Sequence, residues 1–283
     1  MFDAFGRSWQ ITKLSFNVIM HDKELLLYPV LAAIFSLLYG VLLLFPTVLS
    51  QWVLGEFSVV YLFFAFLTYL GISFIATFFN VCVVYTAKSR FEGKNARFGE
   101  TINYALSKIH LIFMWSLVSA IVGVILNLIE NMAEKAQGPA RFILKILEGA
   151  LGMAWAIATI FVVPSMVYHN LSPFDAIKKS ADTVRKTWGE SLIRYFGLGL
   201  VNTLLIILGI FIGIILIIIS LPLGLPAIIT VVSIMMIYFV AITIIFQVAN
   251  SVYNTALYVY ADTGKIPKGF EEKVLKEAFH KKP

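Results

Sequence analysis

Apolar residues run through this chain in long charge-free stretches, and short segments between them hold nearly all the charge. No Asp, Glu, Lys or Arg stands between Glu24 and Glu56, between Glu56 and Lys88, or between Arg194 and Asp262. A helix that crosses a bilayer needs roughly 20 predominantly apolar residues, so each run holds at least one span. The pattern predicts spans near Leu25 to Ser50, within Phe57 to Ala87, about His110 to Ile129, and roughly Leu144 to His169, with two more beyond Arg194. Pro29 and Pro46 are placed near the ends of the first span, where a missing donor costs least, and Pro164 should kink the last third of the fourth. Glu130 to Glu148, broken by Gly138 and Pro139, reads as the largest loop on its side. Leu221 to Pro226 reverses the chain, and the sixth helix after it is longer than a bilayer needs.

The charged segments have a helical period of their own. Ser172 and Asp175 have capping-box spacing, and Pro173 suits the first helical position. Phe174, Ile177, Ala181, Val184 and Trp188 recur at helical intervals, with Asp and Lys on the other sides. This predicts an amphipathic helix lying along a membrane surface. Phe2-Asp3-Ala4-Phe5-Gly6-Arg7-Ser8 matches Phe174-Asp175-Ala176-Ile177-Lys178-Lys179-Ser180, and Phe98-Gly99-Glu100-Thr101-Ile102 is a looser copy. The expected fold is all-α: six transmembrane helices in three out-and-back hairpins, each preceded by a cytoplasmic amphipathic helix. Residues 1–265 form one domain with repeat units of about 2–88, 98–169 and 174–262, and 266–283 form a basic tail with a short helix. Such a parallel repeat differs from the inverted repeats of many transporters.

Composition agrees: 60% of the 283 residues are apolar and 13% charged, more apolar surface than a water-soluble core absorbs. With six spans, nineteen of the 22 Lys and Arg fall on the side of the termini, leaving Lys135, Arg141 and Lys145 opposite. The positive-inside rule then puts both termini in the cytoplasm of a cell-membrane protein. The net charge of +6 points to anionic headgroups rather than nucleic acid, because the basic residues flank apolar runs. Cys82 is the only cysteine, inside an apolar run, and reads as a small buried hydrophobe. No cleavable signal peptide is read at the start of the chain.

A Pro ending a span, followed by an acidic-Ala-basic-Ser helix and an aromatic, is carried here by Pro164, Leu171, Ser172, Phe174-Asp175-Ala176, Lys179-Ser180 and Trp188. This element resembles one in prokaryotic six-span proteins, among them the membrane domain attached to some glycerophosphodiester phosphodiesterases. The opening Phe2 to Lys13 and the stretch Ala256 to Phe270 resemble an uncharacterised bacterial and archaeal family in that neighbourhood. The resemblance implies a six-helix integral membrane protein and supplies no reaction; the phosphodiesterase chemistry belongs to a separate soluble domain.

The chain offers no metalloprotease, nucleophile-elbow or phosphate-loop motif, and His21, His110, His169 and His280 are scattered. No cofactor or metal is expected, and no catalysis. Gln247, Asn250 and Asn254 lie on one face of the sixth helix, with Asn80 and Asn202 as further candidates for a polar cavity. Interhelical hydrogen bonding is the plainer role for these amides, at ~0.6 kcal/mol per contact. Lys88, Arg90, Lys94, Arg97, Lys178, Lys179, Arg185 and Lys186 are candidate contacts for anionic lipid; anchoring alone is the plainer role. Gly209 and Gly213 have the spacing of a close helix contact, within the chain or between subunits. The expected function is to bind or organise lipid, or to scaffold a membrane partner. The alternative is a channel or carrier with a cytoplasm-facing cavity. Membrane lipids are the expected partners, and a homo-oligomer or a membrane-protein partner is left open.

Overall fold

The computed structural model describes residues 2–55, 58–187 and 197–270, with the backbone alone for 2–11, 186, 187, 197, 198 and 200. No strand occurs among the described residues. The helices are α1 (Phe2–His21), α2 (Leu27–Leu54), α3 (Val59–Phe91), α4 (Phe98–Ser107), α5 (Ile109–Lys135), α6 (Pro139–Thr159), α7 (Val162–His169), α8 (Pro173–Thr187), α9 (Gly197–Ser220) and α10 (Leu225–Thr263). Among the described residues six stretches are long and apolar enough to cross a membrane: Lys23–Leu54, Val59–Phe91, Ile109–Lys135, Pro139–His169, Val201–Leu223 and Leu225–Thr263. The expected number of membrane-capable helices is therefore present.

Several boundaries differ from the sequence reading. Helix α2 runs through Pro46 and past the expected end at Ser50 to Leu54. Proline removes one donor, and in an apolar medium the chain has no better partner than the rest of its helix. The expected loop from Glu130 to Glu148 shrinks to a connection of Ala136, Gln137 and Gly138, since α5 keeps Glu130 and Lys135 and α6 takes up Arg141, Lys145 and Glu148. Gly138, at φ 60°, makes the turn that Pro139 then closes as the first helical residue. The fourth span breaks at Ile160–Phe161 into α6 and α7, four residues before Pro164. Trp188, the basic tail beyond Phe270 and the side chains of the first repeat copy lie outside the described residues.

Contacts divide the chain into two units, residues 28–187 and residues 1–27 with 188–283. In the first, α3 packs on α5, α5 on α6, and α8 on α5, α6 and α7. Leu111, Trp115, Val162, Met166 and Ala176 form a buried cluster there, and Trp115 stacks on Trp155 at 5.7 Å. In the second, α9 and α10 pack together and both meet α1. Phe16 of α1 meets Phe246 of α10 edge-on at 5.9 Å, and Phe270 is buried.

One joint occurs in both units. The Tyr39 ring lies over Gly71, and its hydroxyl donates to the Leu67 carbonyl at 2.7 Å. Likewise the Tyr238 ring lies over Gly209, and its hydroxyl donates to the Leu205 carbonyl at 2.9 Å. In each case the acceptor stands one helical turn before the glycine. A phenol in an apolar region needs an acceptor, and the bare glycine lets the ring reach the backbone. Gly213 serves the same approach for Met235, whose Cε would lie 2.8 Å from an added Cβ. The Gly209–Gly213 pair is thus used within the chain.

Gly71→Ala and Gly209→Ala should each lower the thermal unfolding midpoint in detergent. The added methyl overpacks a ring seat at about 1–3 kcal/mol, more than the roughly 1 kcal/mol gained in helix propensity. Gly149, with open space around its Cβ position, is the control: Gly149→Ala should be neutral or stabilising.

Candidate functional site

Helix α8 begins as its residues dictate. Ser172 Oγ donates to Asp175 Oδ2 at 2.6 Å and accepts from the Asp175 N–H at 3.4 Å, with Pro173 at the first helical position. Its innermost residues are small. Ala176 and Ser180 are fully buried, with Thr183 and Val184 beside them, whereas Phe174 is 69% exposed. Small residues face the packed helices because only they allow close approach.

Ser180 explains the break in the fourth span. Pro164 cannot donate to Ile160, and its ring crowds that carbonyl. The helix tightens there, so that the Ile160 N–H turns to Ile157 O at 3.4 Å. The Phe161 N–H then donates to Ser180 Oγ at 3.0 Å, and Ser165 Oγ donates to the Phe161 carbonyl. Phe161, Ser165 and Ser180 are all fully buried. A hydroxyl from α8 thus satisfies a donor that proline chemistry released in another helix.

Beside this joint the ends of α3, α4, α5 and α7 meet. Thr86 and Thr101, both buried, share a hydrogen bond at 3.2 Å. Tyr85 stacks on Tyr104 at 4.1 Å, and the Tyr104 hydroxyl donates to the Val167 carbonyl at 2.9 Å. Burial, with the neighbouring Tyr85 adding to it, pushes the Tyr104 phenol up to about 12, so it remains a neutral donor near pH 7. Lys88 Nζ sits 4.6 Å above the Tyr168 ring, and Lys108 Nζ lies 5.7 Å from the Tyr104 ring. Lys108 also donates to Asn170 Oδ1 at 2.7 Å, while Asn170 closes α7 in the left-handed region at φ 55°. Lys108, Asn170 and the three tyrosines were not singled out by the sequence reading. The spacings Tyr85 to Lys88 and Tyr104 to Lys108, one helical turn each, were the available signal.

The other candidate cations lie on α8, at the end of α3 and in the α3–α4 connection. Arg97, Lys178 and Arg185 are exposed, and Arg90 and Lys179 are half-buried. Lys94 is drawn into an ion pair with Glu92 at 3.0 Å. Lys186 lies on α8 with its side chain outside the described residues.

The amides are dispersed. Asn80 is half-buried in the unit of residues 28–187. In the other unit Gln247 and Asn250 are exposed and Asn254 is half-buried, while Val248, Ala249, Val252 and Tyr253 form the buried face of α10. Asn202 Oδ1 is buried with no hydrogen-bond partner among the described residues. Gln247 stands about 33 Å along the helix from Leu225 at ~1.5 Å per residue, against a hydrocarbon core of about 30 Å. This amide face therefore belongs at the far boundary of the core or beyond it, rather than at its centre. No group of three or more potential metal ligands occurs among the described residues.

A family model described as "Family of unknown function (DUF6159)" matches residues 57–269. No curated protein matches the chain significantly. The family description carries no link to glycerophosphodiester phosphodiesterases.

Ser180→Ala should destabilise the protein by about 1–3 kcal/mol, read as a lower unfolding midpoint, because the buried Phe161 N–H is left unpaired. In a Pro164→Ala background the same change should cost less, since an unbroken helix takes up that N–H itself. A double-mutant cycle measures the coupling, and additive effects would break the assignment.

Proposed function

The chain belongs to this family of unknown function, and from that premise we propose a non-enzymatic integral membrane protein that binds and organises anionic lipid. The observation that carries this reading is the basic end of the unit of residues 28–187. There Arg97 stands exposed just before α4, and Lys88 and Lys108 rest on aromatic rings near the ends of two membrane-capable helices, while α8 adds the exposed Lys178 and Arg185. Cations at that level are attracted to anionic headgroups at roughly 1 kcal/mol each.

The reading includes three out-and-back hairpins, entered from the cytoplasmic side and each preceded by an amphipathic elbow. Support for antiparallel pairing comes from Tyr39 with Leu67 and Phe35 with Phe79, and from Tyr238 with Leu205 and Met235 with Gly213. Support for the elbows comes from α8, which buries Ala176, Ser180 and Val184 and exposes Lys178 and Arg185. The distribution of Lys and Arg argues for both termini in the cytoplasm. The channel or carrier alternative draws on Gln247 and Asn250, and their exposure gives it less support.

Two measurements test this. Lipid co-purified with the protein should be enriched in anionic phospholipid over the host membrane. In Lys178→Glu/Lys179→Glu/Arg185→Glu that enrichment should fall by about tenfold or more, at ~1 kcal/mol per cation; an unchanged lipid profile overturns the reading. For topology, in a Cys82→Ser background, a cysteine at Gly138 should react with an impermeant maleimide from outside intact cells. A cysteine at Asn95 should react only after lysis. The reverse pattern inverts the orientation.

A further inference from the structure

Among the described cations of residues 28–187, Lys88 and Lys108 are set apart by how they are held. Both are half-buried, each ammonium rests on an aromatic ring, and among the described residues neither forms an ion pair. Lys94, by contrast, already has Glu92. A cation drawn out of water without a carboxylate is a half-made site, because its ring neighbour offsets only part of the lost hydration.

The two are parts of one assembly. Lys88 sits on Tyr168, the residue after Val167, whose carbonyl takes the Tyr104 hydroxyl. Tyr104 in turn stacks on Tyr85, one turn before Lys88 on α3, and carries Lys108 near its own ring. Asn170 holds Lys108 from the far end of α7. Four helix ends thus bring two ammonium groups to one aromatic block.

We propose that Lys88 and Lys108, seated on Tyr168 and Tyr104 and steadied by Asn170, form a binding site for the phosphate of an anionic lipid headgroup. The proposal rests on the lipid-binding reading above and names the one place where a single molecule is held tightly. Each ammonium has three donors. Lys108 commits one to Asn170 and Lys88 commits none to a hydrogen bond, which leaves five for an acceptor-rich anion. A phosphodiester presents more oxygens than a carboxylate and sits at the level of helix ends. The first turn of α5, which follows Lys108, can supply the rest of a lipid's surroundings: Ile109 and Phe113, one turn apart, are exposed apolar side chains on which an acyl chain can lie. A free phosphate gains nothing from them.

The test is native mass spectrometry of the full chain in detergent, after delipidation and titration with phosphatidylglycerol or phosphatidylcholine. The wild type should keep one phosphatidylglycerol at activation energies that strip phosphatidylcholine. Lys88→Gln/Lys108→Gln should weaken that binding by about tenfold or more, and Lys88→Arg/Lys108→Arg should restore most of it. Asn170→Asp tests the same point with the fold kept, since Asp tolerates the left-handed region and its carboxylate would neutralise Lys108. It should lose the retained lipid too, while Lys145→Gln, at the opposite end of the unit, should not. Retention unchanged in both the double Gln variant and Asn170→Asp overturns the site; if the α8 charge reversal still lowers anionic lipid, the general reading survives. A wild type with no preference for phosphatidylglycerol overturns both. Displacement of the lipid by millimolar inorganic phosphate would mark the site as one for free phosphate, and would overturn the lipid assignment.

Discussion

Every backbone donor placed in an apolar surrounding must find its partner within the chain, and the described structure depends on that demand more than on any other. It makes the long elements helical and carries α2 past Pro46 without interruption. It also allows the fourth span to break at Phe161 only because Ser180 reaches across from α8 to accept the released N–H. The Tyr39 and Tyr238 hydroxyls obey it from the side-chain direction, finding carbonyls where a glycine lets the ring come close.

The Pro164–Ser180 pairing gives the Pro-then-Ser element a physical meaning. Spaced sixteen residues apart in sequence, the two are a cause and its remedy: one residue opens a helix and the other closes the gap. Ala176, one turn before Ser180, is small for a related reason, since it sits against Trp115, Val162 and Met166 in the packed cluster. The resemblance read from these residues therefore reports on how α7 and α8 are joined and is silent on chemistry.

Much of this was legible in the sequence. Charge-free runs of more than 20 residues admit few structures other than spans, and Ser172-Pro173 with Asp175 announces a helix start that the structure keeps. The connection around Gly138 was misjudged because Glu130, Lys135 and Arg141 looked like loop residues, yet charges fit the end turns of a helix as well as a loop. The innermost face of α8 was not foreseen, because hydrophobic periodicity weights Phe174 heavily and Ser180 hardly at all, whereas close packing selects size. The corner of Tyr85, Tyr104, Tyr168, Lys108 and Asn170 needs four helix ends in one place, and no local pattern in the chain encodes their meeting.

Helix α10 is continuous over 39 residues, held by α9 near Tyr238 and by α1 near Phe246. Its length is thus used twice: the first half pairs with α9 through the Tyr238 hydroxyl, and from Phe246 to Tyr258 the same helix turns a buried face to the body it forms with α1. One unbroken backbone therefore joins a membrane-capable stretch to a packed body, with no connecting loop between the two roles.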